Sequence, residues 1–455
     1  MNFHNDQVIT MIKSCSDNVY LVGGAVRDML MGKLSYDKDI IVPNALEFAK
    51  IFAEKYDRKI IELDTENNIY RIVLDDKENC IDITQPINGS LTDDLNRRDF
   101  TINAIALNLK NNEIIDIHNG CIDFHNKIIR AISKKNILDD PLRILRAYRF
   151  SATLGFNIDV TTHNIINECA DYIKCAAQER INYELMKLFE GQFTANVLLE
   201  MDSFIERLYP IFTDVKKVPP NTHHHLNLYE HSVETVRQIQ NIYQNASLEI
   251  QTHLDRKDFG GFSRLAHLKF AGFLHDIGKY STWSIEGDRH RFIKHDDIGS
   301  KIAFNILREN KFSKKQIDYI CSMVRNHIYP SQVVSSENIT EKIYLRYIRK
   351  MQDDSIDNII LAMADRLSAI GPAISTEIVN KNIKGLEELL DYYLSVRDTL
   401  KPLPKFLSGD EIMQLKGLEP SPQLGQIIEA LKQEQLDGNI NSKEDAVCFI
   451  LSYKF

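Results

Sequence analysis

The stretch LVGGAVRDMLMGKLSYDKDIIV, residues 21 to 42, sets the reading of the whole chain. Its paired glycines, Gly23 and Gly24, let backbone N–H groups come close to an anion, and Arg27 and Asp28 follow in the opening of a helix. Asp37-Lys38-Asp39 then leads into the run Ile40-Ile41-Val42. Residues two apart on an extended strand face the same way, so Asp37 and Asp39 present their carboxylates together while Lys38 points away. Adjacent carboxylates repel unless a cation lies between them, and hard oxygen ligands suit Mg2+, which takes one or two carboxylates plus phosphate oxygens. Each half alone is ordinary, a tight turn or a solvated strand end. Together, in the order turn, helix, strand, they point to a metal-nucleotide site.

At 455 residues the chain exceeds a single core and fits three or four domains of roughly 100 to 200 residues each. Its 44% apolar and 26% charged residues are globular values, and a net charge of -9 argues against a uniformly basic nucleic-acid binder while leaving room for a local basic cleft. Seven scattered cysteines without a C-x-x-C pair fit reduced thiols. The opening MNFHNDQVITMIKSCSDN has no signal-peptide pattern, and no apolar run approaches the ~20 residues that span a bilayer. A soluble, cytoplasmic protein with no membrane partner is expected.

Downstream of the opening stretch, a helix is expected over Ala45 to Tyr56 and short strands over Lys59 to Leu63, Tyr70 to Leu74 and Cys80 to Thr84, with a short amphipathic helix ahead of the strand Val19 to Val22. In CIDIT, Asp82 is either a third carboxylate for the aspartate pair or a strand residue facing solvent. In LNRRDFTINAIALNL, residues 95 to 109, the apolar positions from Phe100 to Leu107 follow a helical spacing. That places Arg97, Arg98 and Asp99 at a helix start, where the dipole favours Asp99 and the arginines suit a triphosphate or an RNA phosphate. EIIDIHNGCIDFHNKIIR reads as strands around a Gly120-x-x-Asp123 turn.

In LDDPLRILRAYRFSATLGF, Asp140, Arg143, Arg146 and Arg149 recur every third residue, along one slowly drifting helix face, while Leu142, Ile144, Leu145 and Phe150 serve the core. A row of arginines is usually a solvated face. The leading aspartate gives this one another use. Cytosine and adenine each present an amino donor beside a ring-nitrogen acceptor, whereas uracil and guanine present a carbonyl beside a ring N–H. A carboxylate and a guanidinium one turn apart complement C or A and leave U or G unpaired.

LVGGAVRD with DKDIIV, RRDFTINAIA, the Gly120-x-x-Asp123 turn, DDPLRILRAYRF and ERINYEL at Glu179 to Leu185 resemble, in order, the motifs of the class II tRNA nucleotidyltransferases, the CCA-adding family within the polymerase-beta-like superfamily. The resemblance covers about residues 20 to 190, with Asp139 standing where the family commonly has Glu. It implies that Asp37 and Asp39 hold catalytic Mg2+. It also implies that Gly23, Gly24, Arg27 and Arg98 contact the nucleotide, Asp140 and Arg143 read its base, Arg146 and Arg149 assist, and Glu179-Arg180 lies on a supporting helix. The implied substrates are tRNA with CTP and ATP.

After Pro210 the chain changes character. The pair His275-Asp276 closes an apolar helical run, and histidine with carboxylate suits a divalent metal. With His231 upstream and Asp365 downstream the set resembles the HD phosphohydrolase domain, whose ligands follow the order His, His-Asp, Asp; the identity of its metal is open. His295 and His327 either complete a second metal site or are core histidines, and the run His223 to His225 is read as surface. The implied fold is α+β: a nucleotidyltransferase head of mixed sheet and helices (1–135), a helical neck carrying the base-reading helix (136–210), an HD domain (211–375) and a helical tail (376–455). In relatives such tails belong to the region near the tRNA elbow.

Two departures bear on the product. The GRRFxLxHV-like block of bacterial poly(A) polymerases is replaced here by IYRIVLDDKENCIDI, which favours tRNA as substrate. Only QPINGS separates Thr84 from Leu91, where complete CCA-adding enzymes carry a longer flexible segment, and a short one marks C-C-adding members; the expected activity is tRNA nucleotidyl transfer, with the product left open between C-C-A, C-C alone and A alone. A rival from another class is an HD phosphohydrolase whose first half only binds RNA. The intact aspartate pair speaks against it, since binding alone has no need of two carboxylates near RNA phosphate.

Overall fold

The computed structural model describes residues 6–33, 35, 37–74, 79–221, 225–287, 289–336, 339–369, 371, 374–400, 403–436 and 438–454, and divides into two compact units, Met1–Pro210 and Ile211–Phe455. Of the histidine run, His223 and His224 lie outside the described residues and His225 is exposed. Among the described residues, no helix is long and apolar enough to cross a membrane.

The first unit opens with α1 (Gln7–Lys13), β1 (Tyr20–Val22), α2 (Gly24–Leu30), β2 (Asp37–Ile41) and α3 (Ala45–Tyr56). Then follow β3 (Ile60–Asp64), β4 (Ile69–Val73), β5 (Cys80–Thr84), α4 (Leu91–Asn96), β6 (Ala106–Asn108) and β7 (Ile114–Ile115). The strands form a mixed sheet in the order β3-β4-β5-β2-β1-β6-β7, in which β2 and β5 are parallel. Strand periodicity sorts the side chains between two faces. Leu21 and Ile40 join a large core with Ile12, Val26, Phe48 and Phe52 from the three helices. Val22 and Ile41 join a small cluster with Leu95 and Ala106 on the opposite face. Asp37 and Asp39 share the parity of Ile41, so they emerge on the sparsely covered face. Lys38, on the other face, is buried in an ion pair with Asp6 at 3.0 Å and donates to the Ser35 carbonyl, which fixes which way the strand faces.

Residues 100 to 107 are not the expected helix. α4 ends before them, Arg97 is its C-cap, Phe100 bridges to Ala131, and a 3-10 turn over Thr101–Asn103 leads into β6. Every residue from Phe100 to Leu107 is buried, and in a fully buried run the apolar pattern fits a strand as well as a helix. The charges of Arg97-Arg98-Asp99 therefore follow a helix end, and the dipole argument for Asp99 falls. The Gly120-x-x-Asp123 segment is also not a plain turn but the start of α5 (Gly120–His125). A Cβ on Gly120 would stand 2.1 Å from the Thr101 carbonyl oxygen, and the Thr101 hydroxyl donates to Asp123 at 2.7 Å, so glycine and aspartate together clamp the 3-10 turn.

Beyond the sheet lie α6 (Lys134–Asp139), α7 (Leu142–Leu154), α8 (Val160–Cys169) and α9 (Gln178–Glu190), with α7 packed on α9. Among the described residues the second unit is helical apart from a hairpin, Trp283–Glu286 with Arg289–Phe292. Its last three helices, Gly409–Lys416, Pro422–Leu436 and Lys443–Ser452, share a small core of their own around Ile412, Ile427 and Ile450.

Candidate functional sites

Gly23 ends β1 at φ 69, a conformation that favours glycine, and a Cβ there would meet the Arg98 guanidinium at 2.7 Å and the Asp39 carboxylate at 3.4 Å. The glycine thus lets Arg98 lie against the backbone beside Asp39. Gly24 opens α2 without a comparable demand, since its Cβ would make only an ordinary contact with Arg27. Across the parallel pair Asp82 stands opposite Asp39 and Cys80 opposite Asp37. The Cys80 thiol donates to Asp37 at 2.9 Å, and burial followed by that bond pushes it up to about 12. Asp82 does not face solvent alone: Arg71 grips it with bonds of 2.6 and 2.7 Å. Burial raises Asp39 to about 6, with Asp82 and Asp37 adding to the rise and Arg98 opposing it. Neighbouring carboxylates that add to the rise of Asp39 are a donor set that fits a hard divalent cation.

Arg27 donates to Asn103 at 2.8 Å and to Asp28 at 2.8 Å, and Arg98 is held by Asp94 and the Asn103 carbonyl, each at 3.2 Å. Arg98 also reaches a second feature, a cleft of about 520 Å³ that it lines together with Asp140, Arg143, Arg180 and Tyr183. Asp140 lies just before α7, where one carboxylate oxygen accepts from the Leu142 N–H at 3.3 Å and the other from Arg180 at 2.8 Å. Arg143 donates to the Asn136 carbonyl at 3.0 Å. The structure separates the arginine ladder into two parts. Arg146 is taken up by Asp99, with bonds of 2.9 and 2.7 Å, and by Glu184 at 3.4 Å, while Arg149 pairs with Glu184 at 2.6 Å. Asp99 is buried, which works to raise its carboxyl, yet the Arg146 charge and its hydrogen bonds bring it down to about 2.

Sequence reasoning missed Asp99 and Glu184 as the anchors of these arginines. A signal for Glu184 was present: Ile181, Leu185 and Leu188 set the apolar stripe of α9, and a glutamate inside that stripe needs a buried cation to face it. Asn136 also went unnoticed; its amide donates to the carbonyls of Asn96 and Arg98, both at 2.7 Å, and holds the segment after α4 in place.

In the second unit five elements converge around one carboxylate. His231 comes from the helix Leu228–Asn245, His275 and Asp276 end the helix Arg264–Leu274, and Asp365 comes from the helix Ser355–Ser368. His231 Nε2 lies 3.2 Å from both Asp276 and Asp365, and His275 Nε2 lies 3.2 Å from Asp276 and 3.5 Å from Asp365. On the other oxygen of Asp276 stand His295 at 3.3 Å and His327 at 3.5 Å. Both sets hold their ligand atoms within 4.8 Å of one another. Nδ1 of His275, His295 and His327 each meets a backbone carbonyl, at 2.7, 2.8 and 2.7 Å, which leaves Nε2 of all three directed at the centre. Gly278 brings the two sides together: its Cβ would collide with the His295 carbonyl at 2.1 Å and with Gly299 N at 2.6 Å.

Asp276 is 1% exposed, and besides the four histidines its carboxylate meets Lys279, at 2.5 Å. Burial works to depress His275, but the Asp276 and Asp365 carboxylates outweigh it and carry it up to about 10. The cluster therefore attracts positive charge, and its nitrogen and oxygen donors fit a divalent transition metal or Mg2+. Behind it, buried Asp357 accepts from His253, Tyr319 and Arg264 and pins the helix that carries Asp365.

A strand-borne carboxylate pair beside a basic cleft defines a nucleotidyltransferase head, and the histidine-aspartate cluster defines an HD metal domain. Family models agree: "Poly A polymerase head domain" matches residues 19–130 and "HD domain" matches residues 228–370. The chain is 28% identical over 439 residues to the A-adding tRNA nucleotidyltransferase of Deinococcus radiodurans, covering 94% of each. It is 28% identical over 448 residues to the CC-adding tRNA nucleotidyltransferase of Thermus thermophilus, covering 96% of this chain and 94% of the relative. Its fold is shared with the Thermotoga maritima CCA-adding enzyme, solved as a complex with tRNA, at TM-score 0.57 and 22% identity over 99% of this chain and 96% of that one. The chain belongs to the class II tRNA nucleotidyltransferases, the CCA-adding and poly(A) polymerase family, and carries a separate HD domain toward its C-terminal end.

Proposed function

We propose that this enzyme extends tRNA 3' ends from CTP without a nucleic-acid template, adding two cytidines and stopping before the terminal adenosine. The observation that carries the transfer reaction is the carboxylate pair on one face of β2, with Arg98 laid against Gly23 beside it. A site that only bound RNA would be weakened by those charges. Bound Mg2+ would neutralise charge on the attacking and leaving oxygens of the transferred phosphoryl group. Asp37 and Asp39 are the residues that would hold it, and Arg98 and Arg27 offer their guanidinium groups to the phosphates. Asp140 accepts from the exocyclic amino group of the base and Arg143 donates to its ring nitrogen, with Arg180 sharing Asp140. Arg146 and Arg149, engaged by Asp99 and Glu184, act by positioning α7. The RNA 3'-hydroxyl gives up its proton to water as its oxygen bonds the α-phosphorus, the bond from that phosphorus to its bridging oxygen breaks, and pyrophosphate leaves with the electron pair.

The choice of C-C rests on the six residues Gln85 to Ser90, tied into one 3-10 turn and the cap of α4, and on relatives matched over at least 90% of their length that are named as CC-adding. Transcripts ending at the discriminator base, at C and at C-C, offered CTP and ATP singly and together, test it: extension by two with CTP alone is expected. Addition of A to the C-C transcript overturns that product. Asp37→Ala and Asp39→Ala should each lower incorporation roughly 100- to 1000-fold or more, the loss that follows removal of one preorganised electrostatic group, with tRNA binding retained. Undiminished incorporation overturns the assignment.

The HD unit supports a second, separate activity, metal-dependent hydrolysis of phosphate esters, with 2',3'-cyclic phosphates at damaged RNA ends as substrates. Its specific observation is that Asp276 faces His231 and His275 with one oxygen and His295 and His327 with the other, a donor set for two cations sharing that carboxylate. In protein carrying Asp37→Ala and Asp39→Ala, so that the head holds none, two Mn2+ per chain are expected, and one with His327→Ala added. Turnover of the cyclic phosphate with Mg2+, Mn2+ or Ni2+ should disappear in His275→Ala. Absence of both metal and turnover in the otherwise native HD unit overturns this reading.

A further inference from the structure

α9 carries a stripe that its core packing does not use. Its buried face is built from Ile181, Leu185 and Leu188. Tyr183 lies off that face, 50% exposed, and lines the cleft with Asp140, Arg143 and Arg180. One turn further on, the Lys187 ammonium sits over the Tyr183 ring, 4.6 Å from its centroid, which holds the ring in place from the side of its own helix.

Edge recognition alone leaves a base poorly fixed. The bonds that Asp140 and Arg143 can make lie in the plane of the base, so they define which edge is presented and leave the base free to tilt about that edge. A flat partner parallel to the base removes the tilt. Aromatic side chains do this for every base, because every base has a π face. We propose that Tyr183 is a stacking platform for the base of the incoming nucleotide, dividing the work of the cleft: Asp140 and Arg143 choose the base, and Tyr183 supplies affinity that does not depend on which base it is. This inference rests on the base-reading role of Asp140 and Arg143.

The test compares Tyr183→Ala, Tyr183→Phe and Asp140→Ala with the wild type, using a tRNA transcript that the wild type extends. Nucleotide KM and kcat, tRNA KM and the ratio of kcat/KM between CTP and UTP are measured for each. Tyr183→Ala should raise nucleotide KM on the order of 5- to 100-fold, the range that base stacking contributes, with tRNA KM and the CTP-to-UTP ratio unchanged. Tyr183→Phe should restore it, since the ring stacks and the hydroxyl does not. An unchanged nucleotide KM in Tyr183→Ala, an increase confined to tRNA KM, or a Phe variant as weak as the Ala variant overturns the proposal. Where Asp140→Ala has meanwhile erased the preference for CTP, only the platform falls. Where Asp140→Ala leaves that preference intact, the reading of the cleft as a base pocket falls as well.

Discussion

Asp37 is exposed at the start of a strand and Asp39 is half-buried beside it, whereas Asp276 is fully buried at the meeting point of four histidines from different elements. In the proposed reading both would hold divalent cations, and they are made for different occupancies. The head provides two carboxylates, with Asp82 diverted to Arg71, which is too few ligands for a cation unless phosphate oxygens arrive with it. The HD centre brings imidazoles already turned inward by backbone carbonyls, enough to retain a metal between encounters with substrate. A site that shares its ligands with the substrate has to stay open, and one that supplies them itself can be closed.

The largest effect that follows is on stability. Stripping divalent metal should lower the unfolding free energy of the second unit by about 3 to 4 kcal/mol for each bound cation when free metal had stood at roughly 100 to 1000 times its Kd, and leave the first unit within about 0.5 kcal/mol. Calorimetry with and without chelator resolves this; equal losses in both units would remove the contrast drawn above.

The next effect concerns what makes the head rigid. Asp99 is held at about 2 against a reference of 3.8, so folding favours its ionised form. Its contribution is fully present above about pH 4 and is lost as pH falls toward 2, on the order of 2 kcal/mol. Asp99→Asn should flatten the acid limb of the first unit's urea unfolding profile over that window; an unchanged limb would move the anchor elsewhere. Asp39 has the opposite sign. Raised to about 6, it keeps its proton to higher pH and must lose it to bind Mg2+. The Mg2+ concentration needed for half-maximal incorporation should therefore rise about fivefold between pH 6 and 5, which a metal titration at several pH values checks.

Much of this was legible in the residues. The two-residue spacing of Asp37 and Asp39 predicts their common face, because strand parity is a local property. The helix over Ala45 to Tyr56 has the predicted bounds, with Asn44 capping its start. Residues 100 to 107 misled because a run buried on all sides carries no period, and only the bridge from Phe100 to Ala131 and the clamp at Gly120 decide its conformation. The division of the arginine ladder was hidden for a similar reason. Arg143 and Arg146 look alike along the helix and both line the cleft, and only Asp99 and Glu184, which approach from distant parts of the chain, mark Arg146 as the one held in carboxylate ion pairs. His295 and His327 were visible as candidates, but their sharing of Asp276 depends on a backbone contact that no spacing rule describes.

That contact, Gly278 against the His295 carbonyl and Gly299, sets how far apart the two sides of Asp276 stand. It is backbone against backbone, with no rotamer to adjust, so it works as a fixed spacer. A methyl group there would leave every ligand in place chemically and change only the gap between them. Cation radius, more than ligand identity, is then what such a substitution would retune.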